Sequence, residues 1–130
     1  WSKSIGGLKA LFARADANAK VIHDFVAQND WIANLAADPA TRSNTSVCLK
    51  VVDAEVTALD ASAQADFAKG VVALLEKEGV AFDIGAYRDA PSGLRIWAGA
   101  TIETSDMQAL MPWLSWAFET QKAALSQAAA

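Results

Sequence analysis

Two arginines, Arg88 and Arg95, flank the run Asp89, Ala90, Pro91, Ser92, Gly93 within the stretch FDIGAYRDAPSGLRIWAG, residues 82–99. Proline presets one backbone angle and glycine tolerates the positive one, so the run predicts a tight turn between two short strands. With Pro91 and Ser92 at the centre of a two-residue turn, the arginines become cross-strand neighbours on one face. Like charges so placed repel unless an anion lies between them. One reading is a clamp for a carboxylate or phosphate, which the forked guanidinium suits. The other is that Asp89 or a helix carboxylate supplies the anion, or that both side chains reach water. Arg42 lies in the polar, turn-rich segment PATRSNTS, residues 39–46.

The remaining reactive side chains carry less. His23 has no second His or Cys at ligand spacing, which argues against a metal site and for a surface or boundary residue. Cys48 lies in the apolar run VCLKVVD with no base nearby in sequence, so it reads as a core thiol and not a nucleophile. As the one cysteine of the chain it makes no internal disulfide, consistent with an intracellular protein, expected in the cytoplasm. Trp31, Trp97, Trp113 and Trp116 read as core or interface anchors, and an indole beside Arg95 could border a ligand. The glycine-rich nucleotide loops GxGxxG and GxxxxGK[ST] are absent.

These residues need elements to position them. Leu8, Leu11, Phe12, Ala15, Ala19, Ile22, Phe25 and Val26 recur at steps of three and four, predicting an amphipathic helix over residues 7–28. Gly6 and Gly7 form its entry, and Asn29 and Asp30 its exit. Residues 31–37 predict a short helical turn broken at Asp38 and Pro39. Val47, Leu49 and Val51 alternate with Cys48, Lys50 and Val52, a strand with one wholly apolar face. Asp60 caps a second helix that carries Phe67, Val71, Leu74 and Leu75 and ends near Lys77 and Gly79; a helix between two strands follows crossover logic. Residues 80–86 and 93–99 read as the second and third strands. Thr104 is read as the cap of a last helix that carries Leu110, Leu114, Ala117, Phe118 and Leu125, with Pro112 as its kink or true start. The tail SQAAA reads as frayed.

The order helix, strand, helix, strand, strand, helix predicts an α+β fold: a two-layer domain with a small, mostly antiparallel sheet and helices packed on one face. A chain of 130 residues, 53% hydrophobic and 20% charged, makes a single domain over residues 1–130 with its own core. Its net charge of −4 argues against a nucleic-acid partner or an anionic membrane surface. The apolar runs fall short of the roughly 20 residues that span a bilayer. A first residue of Trp, not Met, raises the expectation that the sequence begins inside a longer chain.

The opening WSKSIGGLKAL, the run RSNTSVCLKVVD and the segment EKEGVAFDIGAYRDAPSGLRIWAGATIE together resemble the C-terminal part of phosphoserine aminotransferase, in a divergent branch of that family. The resemblance covers nearly the whole chain. It implies the smaller domain of a homodimeric, pyridoxal-phosphate-dependent enzyme of fold type I. In that family the reaction moves an amino group from glutamate to 3-phosphohydroxypyruvate in serine biosynthesis, so the substrates are glutamate, phosphoserine and 2-oxo acids. Arg95, in the family's Gly-x-Arg position, would hold the substrate α-carboxylate. Arg88 falls where many members carry a His-Arg pair that contacts the phosphate or distal carboxylate from the neighbouring subunit. Here the pair reads Tyr87 and Arg88, and the turn is one residue longer. Arg42 and Ser43 resemble the family's Arg-Ser, with Arg42 ordering its loop or reaching the active site. None of Lys3, Lys9, Lys20, Lys50, Lys69, Lys77 and Lys122 matches the motif of the Schiff-base lysine. The resemblance thus implies a cofactor held by a larger domain, with this part alone inactive and cofactor-free. Two alternatives stay open: the small domain of an alanine- or serine-glyoxylate-type aminotransferase, and a non-enzymatic small-molecule-binding or dimerisation module.

Overall fold

In the computed structural model, which describes residues 1–128, the chain opens with helix α1, Gly7–Gln28. Its buried residues Ala15, Asn18, Ala19 and Ile22 follow the three-and-four spacing of the sequence. Strand β1, Ile32–Asn34, comes next. This replaces the helical turn expected over residues 31–37. Ile32, Ala33 and Asn34 pair with Val51, Lys50 and Leu49. A segment this short has little helical stability of its own, so ladder bonds to a waiting neighbour decide its conformation.

A single 3-10 turn, Pro39–Thr41, begins where Asp38 accepts from the Ala40 amide. Strand β2, Ser46–Val51, pairs antiparallel with both β1 and β3, Leu94–Trp97. Between β2 and β3 lie the short helix α2, Ala54–Thr57, and helix α3, Ala61–Lys77. Asp53 caps α2 and Asp60 caps α3 through the Ala63 amide. Helix α4, Thr104–Ala128, closes the chain. The tail expected to fray is helical through Ala128; Ala129 and Ala130 lie outside the described residues.

The three-stranded sheet with order β1-β2-β3 and its helices form the expected α+β fold. One strand is placed differently. Residues 80–86 were expected to form a full strand, yet they touch β3 through an isolated bridge, Gly85 to Leu94. Backbone bonds join Arg95 N to Ile84 O at 2.8 Å and Ala86 N to Gly93 O at 3.3 Å. Asp83, with φ of 54°, turns the chain out of the extended range just before them. Because β3 runs antiparallel to both β2 and this stretch, the two run in the same direction, as a helical crossover requires.

One sheet face is buried. Val47, Leu49, Leu94 and Ile96 point under the helices, while Lys50 and Trp97 are exposed and Cys48 and Arg95 half-buried on the open face. Cys48 is therefore not the core thiol that its apolar run suggested; period-two alternation sends it to the other side. Trp31 is the core anchor, stacked on Phe118 at 4.1 Å between centroids, with Phe25 and Phe67 edge-on to that pair. Trp97, Trp113 and Trp116 are exposed and belong to no core.

Pro112 sits inside α4 on an exposed position, so the carbonyl that loses its amide partner is on the solvent side. Thr104 does not cap α4 with its hydroxyl; that hydroxyl donates to Asn18 Oδ1 at 2.7 Å. Among the described residues, no helix is long and apolar enough to cross a membrane.

Candidate functional site

Gly93, immediately before β3, is pressed against β2. A Cβ there would collide with the carbonyl oxygen of Leu49, so only glycine lets the two backbones approach and pair. The pairing puts Leu94 opposite Leu49 in the core and hence Arg95 opposite Cys48 on the open face. Beyond Trp97 the chain is clamped from α1. Asn18, fully buried, donates through Nδ2 to the carbonyls of Ala98, Gly99 and Ile102 at 3.3, 3.2 and 2.9 Å. Arg14 adds bonds to the Ala100 carbonyl at 2.8 Å and to Glu103 Oε1 at 2.7 Å. The strand carrying Arg95 is thereby fixed at both ends.

The Arg95 side chain, 12% exposed, has two neighbours that matter. Its Nη2 donates to Asp83 Oδ2 at 3.0 Å and to the Asp83 carbonyl at 3.3 Å. Its guanidinium carbon lies 4.3 Å from the centroid of the Tyr87 ring, a cation–π contact. Its Nε is buried with no hydrogen-bond partner. A charged group with a preset plane and an unspent donor is suited to a further planar anion. Arg95 borders a hollow of about 330 Å³ with Asp83, Trp97 and Asp106. Trp97 therefore does stand next to the arginine, as its place two residues on implied.

Arg88 is not the cross-strand neighbour of Arg95. It lies in the loop beyond the 84–86 stretch with its side chain 93% exposed and Nε 3.8 Å from Asp89 Oδ1. The connection is too long and irregular for a two-residue turn, so Ile84 and Gly85, not Arg88, meet the start of β3. What comes against Arg95 from this loop is Tyr87. Arg88 lines a separate hollow of about 550 Å³ between α3 and the loop, with Tyr87, Lys69 and Glu76.

Arg42 occupies a third place. Its Nε and Nη2 donate to the carbonyls of Ala36 and Ala37 at 3.1 and 3.2 Å, which orders the segment after β1. It lines a hollow of about 290 Å³ with Asn34, Ser43 and Cys48. The three arginines singled out in the sequence thus stand in three hollows. Asp83 and Tyr87, which complete the surroundings of Arg95, and Asn18, which clamps the chain beyond β3, were not picked out as site residues from the sequence. Asn18 had a signal: an asparagine at core spacing between Ala15 and Ile22.

His23 is half-buried at the edge of α1, with Nδ1 buried and unpartnered. Burial, then the charge of Arg42, lower its pKa from 6.5, against the opposing effects of Asn34 and Asp24. The neutral form is therefore favoured in the folded chain. Above the ordinary value His23 contributes no pH dependence; stability falls as pH drops below it through the lower folded value. We expect His23→Leu to flatten the loss of stability as pH falls below 6.5, read as urea midpoints. Equal slopes in both proteins would contradict this.

Pyridoxal phosphate finds no fit among the described residues. A lysine that binds it covalently must shed its proton, which burial or a neighbouring cation brings about. Lys3, Lys9, Lys20, Lys50, Lys69 and Lys77 are exposed. Lys122 bridges Asp53 and Glu55 at 2.8 and 3.4 Å, and its pKa is raised, first by the Asp53 hydrogen bond. Among the described residues, no group of three or more His, Cys, Asp or Glu could hold a metal ion.

Arg95 is thus a guanidinium held on the open face of a small α+β domain, paired with Asp83 and Tyr87 and with Nε unpartnered. No family model matches the chain. Among solved structures, phosphoserine aminotransferase from Bacillus circulans subsp. alkalophilus superposes with a TM-score of 0.74 at 18% identity, over 93% of this chain and 30% of that one. A phosphoserine aminotransferase followed for radiation damage of its Schiff base gives 0.72 at 19% identity, over 92% and 30%. These likenesses establish the fold. In sequence the chain is 48% identical to phosphoserine aminotransferase of Methanosarcina mazei and 49% identical to that of Methanosarcina barkeri, each over 122 residues. Those matches cover 94% of this chain, which spans 30% of the length of either relative. Over nearly its whole length the chain is therefore similar to a part of the phosphoserine aminotransferases.

Proposed function

We propose that the chain is the substrate-recognition domain, at the C-terminal end, of a pyridoxal-phosphate-dependent phosphoserine aminotransferase. The whole protein moves an amino group between glutamate and 3-phosphohydroxypyruvate and works as a cytoplasmic homodimer. The observation that carries the reading is Arg95: a guanidinium held by Tyr87 and Asp83 on the open sheet face, with Nε unspent, in a sequence 48% identical to a named phosphoserine aminotransferase.

In this reading Arg95 binds the α-carboxylate common to glutamate and phosphoserine. A carboxylate that forks onto two parallel N–H groups is fixed in plane as well as position, which orients the amino-bearing carbon. Tyr87 keeps the guanidinium from rotating away. Arg88, exposed and weakly paired, is available to a distal phosphate, while Arg42 acts at a distance by ordering its loop. The cofactor supplies the electron sink and is held by the part of the protein outside this chain.

Acceptor preference tests the assignment. The full-length protein is expected to use 3-phosphohydroxypyruvate well in preference to hydroxypyruvate or glyoxylate, and Arg88→Ala to erode that preference. Equal kcat/KM for phosphorylated and unphosphorylated acceptors would overturn the reading in favour of a glyoxylate-type aminotransferase.

A further inference from the structure

The edge of Arg95 that a carboxylate would grip is already half occupied. Nε–H and the nearer Nη2–H point the same way from a guanidinium and together make one two-pronged edge. Asp83 engages only the Nη2 prong, through Oδ2 at 3.0 Å and its own carbonyl at 3.3 Å, and leaves Nε buried without a partner. A free carboxylate ligand can take both prongs; Asp83, tethered by its backbone, takes one.

The Asp83 side chain is otherwise loosely held. It is 90% exposed against 12% for Arg95, so its carboxylate stands in solvent while the cation does not. No other hydrogen bond of that carboxylate is present among the described residues. Its backbone, with φ of 54°, sits in the left-handed region that non-glycine residues visit at a cost. Asp83 and Arg95 also border one hollow of about 330 Å³, which opens the exchange to a small solute.

We propose that Asp83 is a resident counter-ion of Arg95 that the substrate carboxylate displaces. This rests on the assignment of Arg95 as the carboxylate site and deepens it. With the site empty, Asp83 neutralises the guanidinium and keeps it parked against Tyr87. On binding, the substrate takes Nε and Nη2 together and Asp83 returns to water. The pair sets substrate affinity, since every binding event must break it.

The test uses the full-length enzyme and two variants that tolerate the positive φ, Asp83→Asn and Asp83→Gly. Both are expected to lower the KM for glutamate by roughly two- to fivefold, the size of one exposed competing ion pair. An unchanged or increased KM in both variants overturns the proposal. A parallel Arg95→Ala variant separates the two levels. If it raises the KM while the Asp83 variants do not lower theirs, the carboxylate site stands and the resident counter-ion falls. If Arg95→Ala leaves the KM untouched, the carboxylate site itself is wrong and the counter-ion falls with it.

Discussion

Arg95→Ala in the full-length protein is expected to raise the KM for glutamate by about ten- to a hundredfold. The estimate follows from a charge-assisted pair of about 1.5 to 3 kcal/mol, at about 1.4 kcal/mol per factor of ten. Two features put the value toward the upper end. The side chain is 12% exposed, so water competes poorly for it. Its plane is held by the Tyr87 ring at 4.3 Å, so little order has to be created on binding. Arg95→Lys is expected to recover only part of the loss, because an ammonium offers a point charge in place of a two-pronged edge. A steady-state KM within twofold of wild type in the alanine variant would contradict the role.

The second large effect is expected at Asn18, remote from any substrate. Its Nδ2 serves three carbonyls of the 98–102 segment, and its Oδ1 accepts from Thr104. Asn18→Ala removes this junction from a site with no solvent exposure. A buried polar group stripped of its partner costs about 1 to 3 kcal/mol, and several carbonyls are affected, so a loss of about 3 kcal/mol or more is expected from a domain stability of roughly 5 to 15 kcal/mol. Asn18→Asp is a sharper version, since it keeps the size and the acceptor for Thr104 but aims a carboxylate at three carbonyl oxygens. Urea midpoints at neutral pH measure both. If neither variant moves, the junction is not what fixes the chain between β3 and α4.

The three long helices were legible because each writes its burial into the sequence, whereas the four-residue α2 was not. Ala15, Ala19 and Ile22, then Phe67, Val71 and Leu75, repeat at helical spacing, and Asp60 marks the start of α3 by a hydrogen bond three residues long. Strand β2 was legible through the alternation of Val47 and Leu49 with Cys48 and Lys50. Short extended segments were not. Nothing within residues 31–37 announces β1; it is a strand because Val51, Lys50 and Leu49 lie beside it, a fact of tertiary contact. The 80–86 segment has strand composition, yet the backbone turn at Asp83 stops a ladder from forming.

Of the candidate site, Arg95 could be singled out from the sequence and its company could not. Arg95 stands out as an arginine after a turn, two residues before a tryptophan. Its opposition to Arg88 depended on a register that one irregular loop was enough to shift, and a slip of that kind changes which side chains meet. The anion that the sequence argument demanded for Arg95 exists, but it is Asp83, twelve residues upstream in the chain. Glycine at 93 carries more of the site's placement than its turn position suggested, since it lets β3 close on Leu49 and so determines where Arg95 stands.

The most direct measurement is a crystal structure of the full-length protein with glutamate bound. The substrate α-carboxylate is expected to be forked on Nε and Nη2 of Arg95, with the Tyr87 ring still stacked and the Asp83 carboxylate moved off. A glutamate carboxylate held by other side chains, with Arg95 still paired to Asp83, would contradict it.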